Sequence, residues 1–273
     1  MKTKKIIVLF LACILSFSLA ACGSTSKSES SSKNKKSITV GTSAIFKDIL
    51  EQAKPEFDKD GYTLNIKVFD DLVTPNTALQ EGSIDMNVYQ HEPYLNQFNK
   101  SKGTNLEKYG TGVLKYFMGI YSKKITNINS IKNGATVTIP NDASNRARAL
   151  KVLQSNGLIK LKSDVATPTK LDIVQNTKNL NIVEMDVLKL VNSLNDADFS
   201  VINSIVASQG NINPKSAIGY EDESESNKYS IVIAIKSGYS NKEIAERLEK
   251  ALKSQNVKTY IEKRYKGAIV PLF

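Results

Sequence analysis

The sequence has 273 residues, a formal net charge of +10, one histidine and two cysteines. One histidine excludes most His-dependent catalytic and metal-binding constellations, and no H-E-x-x-H, G-x-x-x-x-G-K-[ST] or G-x-S-x-G pattern occurs. The excess of basic residues is spread along the chain with no basic block in its body, which argues against nucleic acid as a partner.

In chain order, Met-Lys-Thr-Lys-Lys opens the sequence and an apolar, small-residue run follows from Ile6 to Ala21. A basic start, an apolar core of about 7–15 residues and a small-residue end describe a secretory signal peptide. The run gives way to polar chain at Gly23, short of the roughly 20 apolar residues that a spanning helix needs. Leu19-Ala20-Ala21-Cys22-Gly23 resembles the lipobox of bacterial lipoproteins, which implies cleavage before Cys22 and lipidation of its sulfur. Removal of residues 1–21 takes away Cys13 and lowers the charge to +7, leaving Cys22 alone and no disulfide within one chain. Residues 22–37, mostly Ser and Lys, have too little apolar surface to offset ordering entropy and read as a flexible tether.

The body, from Ile38 to Phe273, is long enough for one large or two modest domains. Ser37–Val40 reads as a strand running into a Gly41-Thr42-Ser43 turn. Phe46, Ile49, Leu50, Ala53 and Phe57 then follow helical spacing, with Pro55 set to kink or shorten the helix. Alternation from Thr63 to Phe69 completes a β-α-β unit, which favours a parallel sheet. A short helix at 76–80, a strand at 84–89 and a helix at 92–99 with Pro93 in its first turn come next. Val113–Tyr121 reads as one long strand and 135–139 as another, followed by a helix at 146–155 that Gly157 closes. Strands at 181–184, 199–202 and 229–235 precede a helix opened by a capping-box pattern, Ser240-Asn-Lys-Glu243.

The two long apolar strands bracket a middle block, so the expected architecture is α/β with two lobes and two interlobe crossover strands. Lobe 1 takes 38–115 and 236–273, and lobe 2 takes 116–235. Ligands of such sheets sit beyond the carboxyl ends of strands, often between domains.

Several segments together resemble one family. They are Phe69-Asp70-Asp71, Thr74-Pro-Asn-Thr-Ala-Leu79, Gly82 through Leu95 with Tyr89-Gln90-His91-Glu92-Pro93-Tyr94, Pro140-Asn-Asp142 through Asn145, Arg148-Ala-Leu150, and Val201-Ile-Asn203 with Ala207-Ser-Gln209. In this order, over the whole body, they are similar to the NlpA family, methionine-binding lipoproteins that serve ABC importers. The resemblance implies a type II-like periplasmic-binding-protein fold that closes on methionine or a related amino acid and delivers it to a membrane permease powered by an ATPase. It implies neither a cofactor nor a metal, and no enzymatic turnover.

By the same resemblance Arg148 is the carboxylate-binding residue, Tyr89, His91 and Tyr94 form an aromatic and imidazole wall, and Asn203 is a polar contact. Asn145 shares a helical face with Arg148, and Tyr116 stands where the chain crosses between lobes. An arginine fork suits a carboxylate through two parallel bonds, and a helix start nearby offers free N–H groups. On spacing alone Arg148 reads more readily as a surface residue, His91 as a helix cap and the tyrosines as core, while Asn203 serves equally as a cap or a ligand contact. Where the family commonly has a second tyrosine and an asparagine in the pocket, this chain has Leu72 and Ser230, which remove polar reach. A D-amino acid or a short methionine peptide therefore stays open as the ligand. A surface lipoprotein using the fold for adhesion or signalling, and an exported enzyme, are the rival classes.

Overall fold

The computed structural model describes residues 36–273. The signal peptide, Cys22 and all of the tether except Lys36 and Ser37 lie outside the described residues. The first strand begins at Ser37, where the tether was expected to end.

Strands β1 (Ser37–Ser43), β2 (Thr63–Phe69) and β3 (Met86–His91) alternate with helices α1 (Lys47–Phe57), α2 (Thr74–Glu81) and α3 (Glu92–Lys102). Pairing is parallel, with Val40 opposite both Ile66 and Met86, as the β-α-β reading requires. Gly41-Thr42-Ser43 continues β1 instead of turning. A side chain at Gly41 would lie 2.5 Å from the Ile84 Cδ1 methyl, so glycine here allows close approach within the sheet. Pro55 lies in the last turn of α1, and the helix ends two residues beyond it at Phe57, so the proline stands at the helix end and does not divide it.

The segment expected as one strand, Val113–Tyr121, is two. Strand β4 (Glu107–Tyr116) belongs to the first sheet and β5 (Met118–Tyr121) to a second, with Phe117 at the crossing. The second sheet adds β6 (Thr136–Pro140), β9 (Asn181–Met185), β10 (Phe199–Asn203) and β11 (Gly219–Tyr220), after a separate two-stranded ribbon of β7 (Lys160–Leu161) and β8 (Ile173–Gln175). Helices α4 (Ala143–Ser155), α5 (Leu190–Ser193) and α6 (Ser204–Gln209) accompany this lobe. The chain returns through α7 (Glu223–Ser226) to β12 (Ile231–Ile235), then α8 (Lys242–Leu252), α9 (Gln255–Tyr265) and β13 (Ile269–Pro271).

Strand β12 pairs antiparallel with both β3 and β4, which puts it in the first sheet, in the order β13-β4-β12-β3-β1-β2. The expected boundary at 235/236 therefore moves back to about 230. An all-apolar strand cannot mark which lobe owns it, because both lobes bury their sheets on two faces. Helices α8 and α9 pack on α1, which ties the C-terminal part to the first lobe. The cap of α8 is Asn241, whose Oδ1 accepts from Ile244 N at 3.3 Å, one residue later than the capping-box pattern suggested.

Three apolar cores result among the described residues. One surrounds the first sheet and continues across to Val187, Ile205 and Val206 of the second lobe, one fills the second lobe around Val137, Leu150 and Phe199, and a smaller one lies under α2 and α3 around Leu79, Leu95 and Phe98. The lobes are thus in contact over apolar surface beside the crossings.

Candidate functional site

The carboxyl ends of β1, β3, β6, β9 and β10 converge on one cleft, the place where α/β sheets hold their ligands. Among the residues expected to bind, Leu72, Tyr89, His91, Tyr94, Tyr116, Asn145 and Asn203 line it. Ser230 does not. Its side chain lies over Gly112 of β4, where a serine is too short to reach the cleft.

His91 is the last residue of β3 and the cap of α3. Its Nδ1 accepts from Tyr94 N at 3.1 Å, so Nε2 carries the proton and donates to Asn145 Oδ1 at 3.2 Å. The capping reading of His91 holds, and the same residue lines the cleft. Burial, with the charge of Arg148 second, pushes its pKa down to about 3 and keeps the ring neutral. Asn145 in turn donates Nδ2 to both carboxylate oxygens of Asp142, at 3.1 Å each. Asp142 caps α4 through Asn145 N at 2.9 Å, so that helix start already faces an anion and is not open to a ligand as expected.

The two tyrosines share one acceptor. Tyr89 and Tyr94 donate their hydroxyls to the Leu72 carbonyl at 2.7 and 2.8 Å, and the rings meet edge to face. Burial raises both phenols above their ordinary range, so they stay protonated and able to donate. The backbone of Leu72 is therefore a fixed part of the wall. Behind it, Asn76, Asn87 and Gln90 form a buried amide network, with Gln90 Nε2 donating to Asn76 and Asn87 at 2.6 and 2.8 Å.

Arg148 is 1% exposed, which removes the surface reading. Its Nε and Nη2 donate to Glu221 at 2.8 and 2.6 Å, and Nη2 also donates to the Tyr116 carbonyl at 2.8 Å. The guanidinium carbon lies 4.1 Å from the centre of the Tyr229 ring. Burial opposes the charge of Arg148, but Glu221 more than offsets it and holds the pKa above the ordinary value. The fork expected to grip a ligand through two bonds is thus already engaged. One atom is left over: Nη1 is buried and has no hydrogen-bond partner.

Asn203 is the mirror case. It precedes α6 without capping it, and its Oδ1 is buried without a partner. An unmade bond of this kind costs about 1–3 kcal/mol, so the open acceptor of Asn203 in the cleft lining and the open donor of Arg148 beside Tyr116 both call for a partner.

Sequence reasoning missed Ile45, Phe46, Gln90, Val187, Ile205, Val206 and Glu221. All but Glu221 line the cleft, and most of these lie close beyond a strand's carboxyl end, a place that the α/β rule could have flagged. Glu221 follows a two-residue strand that leaves no periodicity to read.

Among the described residues no group of three or more His, Cys, Asp or Glu gathers to hold a metal, and no helix is long and apolar enough to cross a membrane.

Comparison with known proteins agrees along the whole body. The sequence profile of the NlpA lipoprotein family matches residues 38–273. The D-methionine-binding lipoprotein MetQ of Salmonella typhi is 37% identical over 263 residues, covering 95% of this chain and 94% of the relative. An ABC transporter periplasmic substrate-binding protein from Coxiella burnetii superposes with a TM-score of 0.81 at 36% identity, covering 86% of this chain and 99% of that one. A nutrient binding protein from Burkholderia cenocepacia, solved bound to methionine, gives 0.79 at 35% identity, covering 86% and 100%. The fold is that of periplasmic substrate-binding proteins.

Proposed function

Because the chain belongs to the NlpA lipoprotein family, we propose that it is the substrate-binding lipoprotein of an ABC importer, capturing methionine or a closely related amino acid. The observation that carries this reading is the pair of open hydrogen-bonding atoms, Arg148 Nη1 and Asn203 Oδ1. A buried donor suits a carboxylate and a buried acceptor suits an ammonium, so the pair supports an α-amino acid as the ligand.

The rest of the wall supports an apolar side chain. No charged side chain lines the cleft, and its one histidine is neutral. Phe46, Tyr89, Tyr94 and Tyr116 offer rings to a thioether, a contact worth about 0.3–1.5 kcal/mol beyond burial.

Capture is by closure. His91 and Asn145 come from different lobes and bond across the cleft, and opening would break that bond to admit the ligand. Lipidation of Cys22 would hold the body at the outer face of the membrane, where a permease receives the ligand and a partner ATPase supplies the energy. The chain performs no chemistry on its ligand in this reading.

Native mass spectrometry of freshly purified protein, followed by calorimetry with both enantiomers of methionine, tests the proposal. The expected result is a one-to-one complex. A chain that arrives empty and gives no heat with any amino acid would favour an adhesive or signalling lipoprotein instead.

A further inference from the structure

Glu221 is a buried carboxylate outside the cleft lining, with a side chain 3% exposed. Its Oε1 accepts from Arg148 Nη2 and from Met118 N at 2.7 Å, and its Oε2 accepts from Arg148 Nε. Met118 follows the outgoing crossing at Phe117, and Glu221 itself begins the return crossing. The pair therefore sits at the junction of the lobes and joins both connections through one arginine.

Two consequences follow from this placement. Glu221 takes two of the guanidinium's nitrogens and so fixes which one, Nη1, stays open. It also cancels a buried positive charge that would otherwise attract any carboxylate and repel the ammonium of an amino acid. Such effects are large where water is excluded. Nearby charges do not replace it. Glu225 pairs with both Lys151 and Lys228, and all three side chains reach solvent. Asp142 is bonded to Asn145 and Ser144 at the start of α4, and its contribution is constant whatever stands at 221.

Resting on the amino-acid reading above, we propose that Glu221 determines specificity: by balancing the charge of Arg148, it makes the cleft select net-neutral zwitterions over anions with the same carboxylate and side chain. Glu221 acts through Arg148 and is a positioning residue, with no contact to the ligand itself.

The test compares methionine with its 2-hydroxy analogue by calorimetry at pH 7. The hydroxy acid keeps the carboxylate, the thioether and a donor for Asn203, but carries a net charge of −1. Wild-type protein is expected to prefer methionine by roughly tenfold or more, since discrimination is a difference between two affinities. In Glu221→Gln that ratio should fall by about fivefold or more, because the uncompensated guanidinium favours the anion. Loss of packing alone would weaken both ligands together and leave the ratio unchanged, and that outcome overturns the proposal. Thermal melting shows whether the variant folds. If it does not, the wild-type ratio decides: about tenfold or more sustains charge selection and a smaller ratio ends it. A wild-type chain that binds no amino acid would instead sink the reading of the cleft on which this rests.

Discussion

Nε2 of His91 stands 3.2 Å from Oδ1 of Asn145, and this bond joins the end of a strand in one lobe to the first turn of a helix in the other. Asp142 continues it at one end and the α3 backbone at the other, so four groups form a single line across the closed cleft. Asn145→Ala leaves the imidazole N–H buried without an acceptor, at a cost of about 1–3 kcal/mol. Urea denaturation of the ligand-free protein should show a loss of this size. A loss below about 0.5 kcal/mol, as for an ordinary surface substitution, would mean that the interlobe bond is not formed in solution.

The neutrality of His91 gives that bond a pH dependence. An unfolded chain takes up a proton near the ordinary value of 6.5, whereas the buried ring resists until about 3. Between these values the unfolded state binds more protons. The contribution of His91 is therefore fully present above 6.5 and is lost as pH falls, at up to about 1.4 kcal/mol per pH unit. Between pH 7 and pH 5, wild type should lose about 2 kcal/mol more than His91→Gln, measured as the difference of their denaturation free energies. Parallel losses in the two proteins would place the imidazole in water.

Much of this was open to reading from the chain, and the failures have physical causes. Periodicity found the β-α-β start because α1 and β2 each bury one face, and Phe69 through Leu95 carried the aromatic wall in a continuous stretch. The break at Phe117 left no mark, since the residues next to it on either side, 113–116 and 118–121, are mostly apolar and buried. Arg148 could be singled out, but its engagement by Glu221, 73 positions away, could not. Nor could Leu72, whose contribution is its carbonyl and not its side chain.

That carbonyl predicts non-additivity. Tyr89→Phe and Tyr94→Phe each remove one donor and leave the Leu72 oxygen bonded to the other, so each alone should cost about 0.5–1.5 kcal/mol. The double variant strips the acceptor of both donors. Its cost in thermal or chemical denaturation should exceed the sum of the singles by about 0.5 kcal/mol or more. Strict additivity would show that the two hydroxyls do not share the acceptor.

Arg148→Ala should lower both affinity and stability. Losing Nη1 as a carboxylate donor is expected to weaken binding at least tenfold, about 1.4 kcal/mol, by calorimetry. Glu221 would be left buried and unpaired, which costs about 3–5 kcal/mol when one partner of such a pair is removed. An unchanged affinity would refute the site as drawn, and an unchanged stability would mean that Glu221 finds water in the variant.

Asn203 should behave in the opposite way, and the contrast identifies a binding atom. In the ligand-free protein its Oδ1 is buried with no partner, so the amide is a burden on the fold, of about 1–3 kcal/mol if no water reaches it. Asn203→Ala removes that burden at the expense of little apolar contact. The melting temperature without ligand should stay level or rise, while affinity for methionine falls by about tenfold or more through loss of the ammonium's acceptor. Stability and function then move apart at one residue, which a packing role does not produce. If the variant instead melts lower and binds as well as wild type, Asn203 serves the core of the second lobe and the open acceptor has another cause.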